Sequence, residues 1–271
     1  MATTVGQVQA VIEQLWPLAG AEGWDAPGLL AGSPTAEVNS ILLAVDAVAD
    51  TAEQAANHDL LLVHHPLLLR GVTSIAEDGY KGSVLSTLIR SHTALIAAHT
   101  NADVVETGTS AILAQRLGLQ GAVPIVASSG NPARGLGRVG TLAEPTTLGR
   151  LARLLGELLP ATASGIRVSG DFDAPISSVA LCGGAGDSLL SEPAVLAADV
   201  YITSDLRHHP ASESRENSRA GRGPALIDVS HWASEWLWLE QAATELRAAL
   251  PDVTVTVSDI RTDPWDFTVI Q

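Results

Sequence analysis

The sequence of 271 residues is 46% hydrophobic, which is enough apolar material for one large or two small folded domains and excludes a disordered chain. Lys and Arg number 15 against 30 Asp and Glu, and the net charge of -15 repels phosphate backbones and anionic lipid surfaces. We therefore expect neither nucleic acid nor a membrane as a partner. Cys182 is the only cysteine, so any metal must be held by histidine and carboxylate side chains. The opening residues show no signal peptide and no apolar run of about 18 residues, so we expect a cytoplasmic protein.

The hydrophobic pattern predicts helices and strands in alternation. A first helix is predicted over residues 5–16, where apolar residues recur at helical spacing before the breaker Pro17. Short runs rich in branched residues predict strands at 41–45, 60–63, 94–98, 179–181, 200–203, 225–229 and 253–257. Segments between them predict helices at 82–91, 109–117, 148–159 and 232–250. This order is typical of a mostly parallel sheet with crossover helices, so we predict an α/β fold.

Two polar segments interrupt the pattern. Residues 128–140 (SSGNPARGLGRVG) are rich in glycine, and we predict a linker or a domain edge there. Residues 208–223 are rich in Arg, Ser and Glu, and we predict a loop.

Candidate metal ligands stand where predicted strands stop, which is where an open α/β sheet presents binding residues. They are His64 and His65 in LLLVHHP, Asp103 in AHTNADV, and His231 with Glu235 in IDVSHWASEW. Three imidazoles and two carboxylates exceed the needs of one ordinary zinc and suit two adjacent divalent ions. We therefore predict a dinuclear metal site, in which Zn, Fe, Mn, Co and Ni would all be acceptable.

Each of these ligands has a plainer alternative. Adjacent residues on a strand point to opposite sides, so His64 and His65 suit two ions, or one of them is only packed or hydrogen-bonded. Asp103 could bridge the ions, with His99 and Asn101 orienting the ligands, or this segment could be a local turn.

The pair His231 and Glu235 shares one helix face if Ser230 caps the helix, and can then reach one ion. The alternative is a surface hydrogen bond. Trp232, Trp236 and Trp238 on the same helix carry more apolar surface than one buried face can hide, so we expect part of the helix at a subunit interface.

Two further motifs follow predicted strands. The glycine turn in LCGGAGDSLL is similar to an anion-binding backbone nest, but it lacks the lysine of a phosphate-binding loop. The segment YITSDLRHH places Asp205, His208 and His209 where a general base would be useful. Of these, we take His209 and Asp205 as the catalytic candidates.

The motifs together resemble the Nif-three-like dinuclear metal-binding family, whose members often carry the name GTP cyclohydrolase I type 2 homologue. The matching segments run in order along nearly the whole chain: AEGWDAPGLLAG, LLLVHHPLLLRG, AHTNADV, LCGGAGDSLL, YITSDLRHH, IDVSHWASEW and TDPWDF. By that resemblance the metal ligands are His64, His65, Asp103, His231 and Glu235, and His209 matches a histidine of the family's motif. The chain departs from the family at Ala26, where Asn is common.

The resemblance also implies two α/β domains with the metal site in the cleft between them, assembled as a homohexamer. We assign residues 1–128 and 225–271 to a discontinuous first domain with most of the ligands, and residues 129–224 to the second. The expected function is a metal-dependent hydrolase that acts on a small-molecule phosphoester, nucleotide or ring amide. The alternative is a metal-handling or regulatory scaffold without catalysis.

Overall fold

The computed structural model describes residues 2–270 and divides into two compact units. The first comprises residues 2–102 and 239–262, and the second comprises residues 103–238 and 263–270. Each unit has its own sheet. The α/β fold predicted from the alternation of apolar runs is therefore confirmed.

The elements of regular structure are as follows. The strands are β1 (Gly28–Ala31), β2 (Ser40–Ala44), β3 (Leu60–Val63), β4 (Ala94–Ala97), β5 (Gln120–Val123), β6 (Val126–Ser128), β7 (Asn131–Leu136), β8 (Arg138–Thr147), β9 (Arg167–Ser169), β10 (Pro175–Ala185), β11 (Val200–Ser204), β12 (Ala225–Val229) and β13 (Thr254–Val257). The helices are α1 (Val5–Leu15), α2 (Ala49–Ala55), α3 (Tyr80–Arg90), α4 (Thr100–Asp103), α5 (Thr109–Arg116), α6 (Leu148–Leu158), α7 (Pro193–Leu196), α8 (His208–Arg219) and α9 (His231–Ala249).

The sheet of the first unit has the strand order β1-β4-β3-β2-β13. Its strands pair in parallel except for β1, which pairs antiparallel with β4. All four residues of β3 and of β4 are buried, as expected for inner strands of a parallel sheet covered on both faces. This burial explains why both strands are uninterrupted apolar runs, and it carries the polar residues that follow them to one edge of the sheet.

The sheet of the second unit has the order β5-β8-β10-β11-β12-β9. Its centre, β10-β11-β12, is parallel, and its outer pairs are antiparallel. The side chains of β11 and β12 are buried along their whole length. The residues that follow these two strands therefore emerge at the same edge.

One device recurs in both units, where an aspartate fastens the start of a neighbouring strand. Oδ2 of Asp59, just before β3, accepts the N–H groups of Asn39 and Ser40 at 2.8 and 3.0 Å. Oδ2 of Asp199, just before β11, accepts the N–H groups of Ser177 and Ser178, both at 2.8 Å. Charge-assisted bonds of this kind set the register of parallel strands that no short turn connects.

The observed units differ in extent from the two domains predicted from the sequence. Strands β5 and β12, predicted in the first domain, hydrogen-bond in the sheet of the second unit. Hydrogen bonds between strands far apart in sequence determine which sheet a strand joins. A shift in composition along the chain does not reveal those pairings.

Two local predictions are wrong. Residues 128–140 are not a linker, because they contain β7 and the start of β8, and β7 pairs with β6 as a hairpin. Residues 208–223 are not a loop throughout, because α8 occupies most of them. Helix α8 buries only Ser214, so its sequence lacks the apolar stripe by which an amphipathic helix is recognised.

Two of the three tryptophans of α9 are covered by the chain itself, since Trp232 and Trp238 are 5% and 1% exposed. Trp236 is partly exposed, and the expected subunit interface at this helix stays a prediction. Large exposed apolar side chains lie elsewhere, notably Trp24, Trp265 and Phe267. Within residues 2–270, no helix is both long enough and apolar enough to span a membrane.

Candidate metal-binding residues

Three imidazoles converge at one edge of the first unit's sheet. His64 and His65 directly follow β3, and His99 follows β4, which is the parallel neighbour of β3. Each ring offers a nitrogen, and the three nitrogens lie within 4.8 Å of one another. Since His64 is fully buried and the other two are partly exposed, the group lies at the edge of the core and could hold a metal ion.

The second nitrogen of each ring has a fixed partner. Nδ1 of His64 lies 2.9 Å from the carbonyl oxygen of Ala98, and Nδ1 of His65 lies 2.7 Å from Oδ1 of Asp46. Nδ1 of His99 lies 2.8 Å from Oδ1 of Asp25. A neutral imidazole that donates through Nδ1 presents Nε2 as its metal-binding nitrogen, and carboxylate or carbonyl partners of this kind are characteristic of histidine ligands.

Asp25 holds the residues at this sheet edge through several hydrogen bonds. Its side chain is 0% exposed, and besides His99 it accepts the N–H groups of Thr100 and Ala26 and the hydroxyl of Thr100. Burial alone would raise the pKa of Asp25, but the hydrogen bonds from Thr100 and His99 outweigh it and lower the pKa. The charged form therefore persists and holds the His99 ring in one orientation.

An exposed aromatic side chain lies beside the His99 ring. Trp24, next to Asp25, is 61% exposed, and its ring meets the His99 ring edge to face with centroids 5.8 Å apart. The other proposed orienting group, Asn101, is buried and donates through Nδ2 to the carbonyl oxygen of Trp16 at 2.7 Å, while its Oδ1 accepts the N–H of His99 at 3.0 Å. Asn101 thus fastens the chain beside His99.

A second set of side chains lies in the second unit. His231 opens α9 and Glu235 follows one turn later, so that Nε2 of His231 lies 3.0 Å from Oε1 of Glu235. Nδ1 of His231 lies 2.7 Å from Oδ2 of Asp205, which directly follows β11. Ser230 accepts the N–H of Ala233 at 3.2 Å and thereby caps the helix as expected.

The electrostatics of this set favour a bound cation. Burial lowers the pKa of His231, but the carboxylates of Glu235 and Asp205 outweigh it and raise the pKa to about 11. Glu235 is 4% exposed, and a buried carboxylate is stable only beside positive charge. A divalent ion would supply that charge in place of the histidine proton.

The lack of a side chain at Gly184 leaves room for the side chains of His231 and Glu235. Gly184 has a φ of +68°, and a Cβ there would overlap Oε1 of Glu235 and lie 3.3 Å from Nε2 of His231. Its N–H donates to Oγ of Ser234 at 2.9 Å, and its carbonyl accepts the hydroxyl of Ser204 at 2.8 Å. The glycine turn proposed as an anion nest thus faces a carboxylate and an imidazole.

The remaining candidates have other surroundings. Asp103, at the end of α4, accepts the hydroxyl of Thr109 at 2.5 Å. Asp205, proposed as a general base, is a partner of His231. His209 is exposed on α8 and lines a cavity with Asp187 and Glu213.

Sequence reasoning missed part of the first set. His99 was expected only to orient ligands, yet it stands beside His64 and His65 as an equal member. The sequence offered no separate reason to name Asp46 as a partner of a ligand. Asp25 was included only as part of the AEGWDAPG motif, with no role assigned to it. The only signal in the sequence was that Asp25 and Asp46 each lie next to an apolar run. Which histidine each aspartate contacts depends on how the strands pack.

Fold and side chains together define an α/β protein with a histidine group suited to a divalent metal ion. The chain belongs to the Duf34/NIF3 (NGG1p interacting factor 3) family, which it matches over residues 3–264. This confirms the family predicted from the motifs.

Individual relatives agree. The chain is 44% identical over 269 residues to the GTP cyclohydrolase 1 type 2 homolog of Streptomyces coelicolor, covering 96% of this chain and 93% of that protein. The Staphylococcus aureus hypothetical protein SA1388 has a similar structure, with 25% identity, a TM-score of 0.89 and coverage of 99% and 100% of the two chains. A Bacillus cereus protein related to NIF3 shares the fold at 20% identity, with a TM-score of 0.88 and coverage of 99% and 100%.

Proposed function

We propose that this protein is a cytoplasmic metal-dependent hydrolase that binds two divalent ions per chain through His64, His65, Asp103, His231 and Glu235. His99 joins them as a candidate ligand, because its nitrogen lies within 4.8 Å of those of His64 and His65. A small-molecule phosphoester, nucleotide or ring amide is the proposed substrate. GTP belongs in that class because relatives carry the name GTP cyclohydrolase 1 type 2 homolog.

One observation carries the proposal. Four histidines, His64, His65, His99 and His231, direct Nδ1 to a carbonyl or carboxylate oxygen at 2.7 to 2.9 Å. A metal ligand needs a fixed tautomer with Nε2 presented, and short contacts of Nδ1 with an oxygen atom fix that tautomer. Three of the four partners are aspartates, which also increase the basicity of the ring.

The residues divide the work of such a site. The ions would polarise the substrate and lower the pKa of water that attacks it. Asp25, Asp46 and Asp205 orient the imidazoles, while burial of His64 and Glu235 keeps water away from part of the site. Harder oxygen donors, Asp103 and Glu235, suit the same ions as imidazole. We retain His209 as the proposed proton carrier, and we propose a homohexamer as the assembly.

The test is a double substitution, His64→Ala with Glu235→Ala, compared with His58→Ala as a control. His58 is a partly buried histidine whose Nδ1 lies 3.3 Å from the Gln54 carbonyl oxygen, and it precedes β3, whereas His64 and His65 follow that strand. Elemental analysis of protein purified without added metal should find about two ions per chain in the wild type and in the control, and almost none in the double variant.

Activity is measured on the same samples with phosphoesters, nucleotides including GTP, and cyclic amides. Turnover that follows metal content supports the hydrolase. Full metal content without turnover on any substrate class contradicts it and favours the scaffold. Unchanged metal content in the double variant removes the proposed ligands.

A further inference from the structure

A cavity of about 440 Å³ lies in the second unit between α8 and strands β9 and β12. We call it the α8 cavity, and its polar lining includes Arg167, His208, Ser212, Arg215 and Asp228. This volume is within the range of sites for small molecules, which begins at roughly 300 Å³. The proposed metal ligands do not line it.

The cavity exists because α8 turns small and basic side chains toward the sheet. His208, Ala211, Ser212 and Arg215 line it, and their spacing of three, four and seven residues defines one face of the helix. A helix that packs on a sheet ordinarily fills this face with large apolar side chains. Here only Ser214 of α8 is buried, so the helix leaves the space open and surrounds it with polar groups.

The cavity carries positive charge on a strongly acidic protein. Arg167 and Asp228 are register partners of β9 and β12, and Nη2 of Arg167 lies 2.6 Å from Oδ2 of Asp228, so their charges offset each other. Arg215 has no ion pair among residues 2–270, so the residues that line the cavity carry one positive charge in excess, with the carboxylate of Asp205 nearby. No side chain in that range caps the first turn of α8, so the backbone N–H groups of His208 and His209 add to the positive potential there.

Asp228 supplies a second kind of recognition. Its side chain is 10% exposed, and within residues 2–270 its Oδ1 is buried without a hydrogen-bond partner. Burial raises the pKa of Asp228, and the Arg167 charge and the nearby backbone N–H of Leu206 offset this only in part. A buried carboxylate oxygen without a donor is costly, and a ligand with an N–H or O–H group would satisfy it.

We propose that the α8 cavity binds a small organic phosphate, with the phosphate at Arg215 and the first turn of α8 and an N–H or O–H donor of the organic part facing Asp228. Arginine and a helix N-terminus together favour phosphate over uncharged groups. Leu206 and Leu226 supply an apolar wall for the organic part. Because Leu206 directly follows Asp205, the bound molecule would lie beside the partner of His231.

The experiment is calorimetric titration of the metal-free protein with inorganic phosphate, glucose 6-phosphate, adenosine 5′-monophosphate and glucose. We expect inorganic phosphate to bind, at least one ester to bind more tightly, and glucose not to bind. Arg215→Gln should weaken ester binding about 10-fold or more, as expected for a lost charge-assisted contact. Ala211→Leu should abolish it by filling the cavity.

Arg219→Gln is the matched control, since Arg219 lies one turn further along α8 and pairs with Glu216 at 3.2 Å. It should bind as the wild type does, and thermal unfolding of each variant shows that the fold is retained. The proposal is overturned by an equal loss in Arg215→Gln and Arg219→Gln, by glucose binding as tightly as its phosphate, or by no saturable binding of any phosphate compound. Because the protein is metal-free, none of these outcomes bears on the proposed metal ligands.

Discussion

Nε2 of His231 lies 3.0 Å from Oε1 of Glu235, one turn along α9, and the Cα of Gly184 faces both atoms. The contact joins a histidine whose pKa is raised to about 11 and a glutamate that is 4% exposed. Because Gly184 packs directly against this pair, one added methyl group at position 184 would disturb its geometry.

Gly184→Ala should reduce metal affinity. The new Cβ would overlap Oε1 of Glu235, and the φ of +68° adds backbone strain of about 1 kcal/mol. Gly118→Ala is the control, because Gly118 has a φ of +70° with nothing within 4 Å of the added Cβ. Denaturant unfolding should show the backbone strain in both variants, with the overlap added in Gly184→Ala, while metal titration should show a loss only in Gly184→Ala. Equal metal affinity in the two variants would contradict a role for this space.

Asp205→Asn should weaken metal binding about 10- to 100-fold, the usual effect of removing a carboxylate partner of a histidine ligand. The backbone at Asp205 has a φ of 57°, which asparagine also tolerates, so the substitution changes the charge and leaves the turn intact. Asp187→Asn is the control, since Asp187 pairs with Arg207 at the surface. Metal-binding isotherms decide the matter. Unchanged affinity with a large loss of turnover would instead assign Asp205 to proton transfer.

His209→Ala should keep the metal content and lower the turnover rate about 10²-fold, if His209 carries protons in the reaction. The side chain is exposed at the start of α8, where it is accessible to solvent protons. His58→Ala serves as the comparison, and both variants are assayed with the substrate that the hydrolysis panel identifies. Wild-type rates at full metal content would exclude His209 from the mechanism.

Asp199→Asn should cost about 1 kcal/mol of unfolding free energy at neutral pH, because an exposed site keeps only part of the value of charge-assisted bonds. Burial raises the pKa of Asp199, but the N–H groups of Ser178 and Ser177 outweigh it and lower the pKa below the ordinary 3.8. Its stabilisation is therefore present above pH 3.8 and is lost as the pH falls through the folded-state pKa.

Urea unfolding as a function of pH tests this. The difference between the wild type and Asp199→Asn should shrink below pH 3.8. Asp173→Asn in the same unit, where no backbone N–H is bonded to the side chain among the described residues, should change little at any pH. A difference that stays constant with pH would mean that the charge of Asp199 is irrelevant.

Much of the architecture was predictable because local rules dictate it. Inner strands of a parallel sheet are buried on both faces, so β3, β4, β11 and β12 stand out as apolar runs whose predicted and observed bounds differ by at most one residue. Helix α8 was not predictable in this way, since a helix that borders a cavity lacks the apolar periodicity that reveals a packed one.

The residue types of the candidate site and their places after strands were determined by the sequence alone, because strand order and burial bring such residues to a sheet edge. Only the tertiary structure decided their partners. Asp25 meets His99 across 74 positions, and Asp205 meets His231 across 26. Such pairs depend on which strands become neighbours and how the following turns are held, which are non-local consequences of packing that no spacing along the chain records.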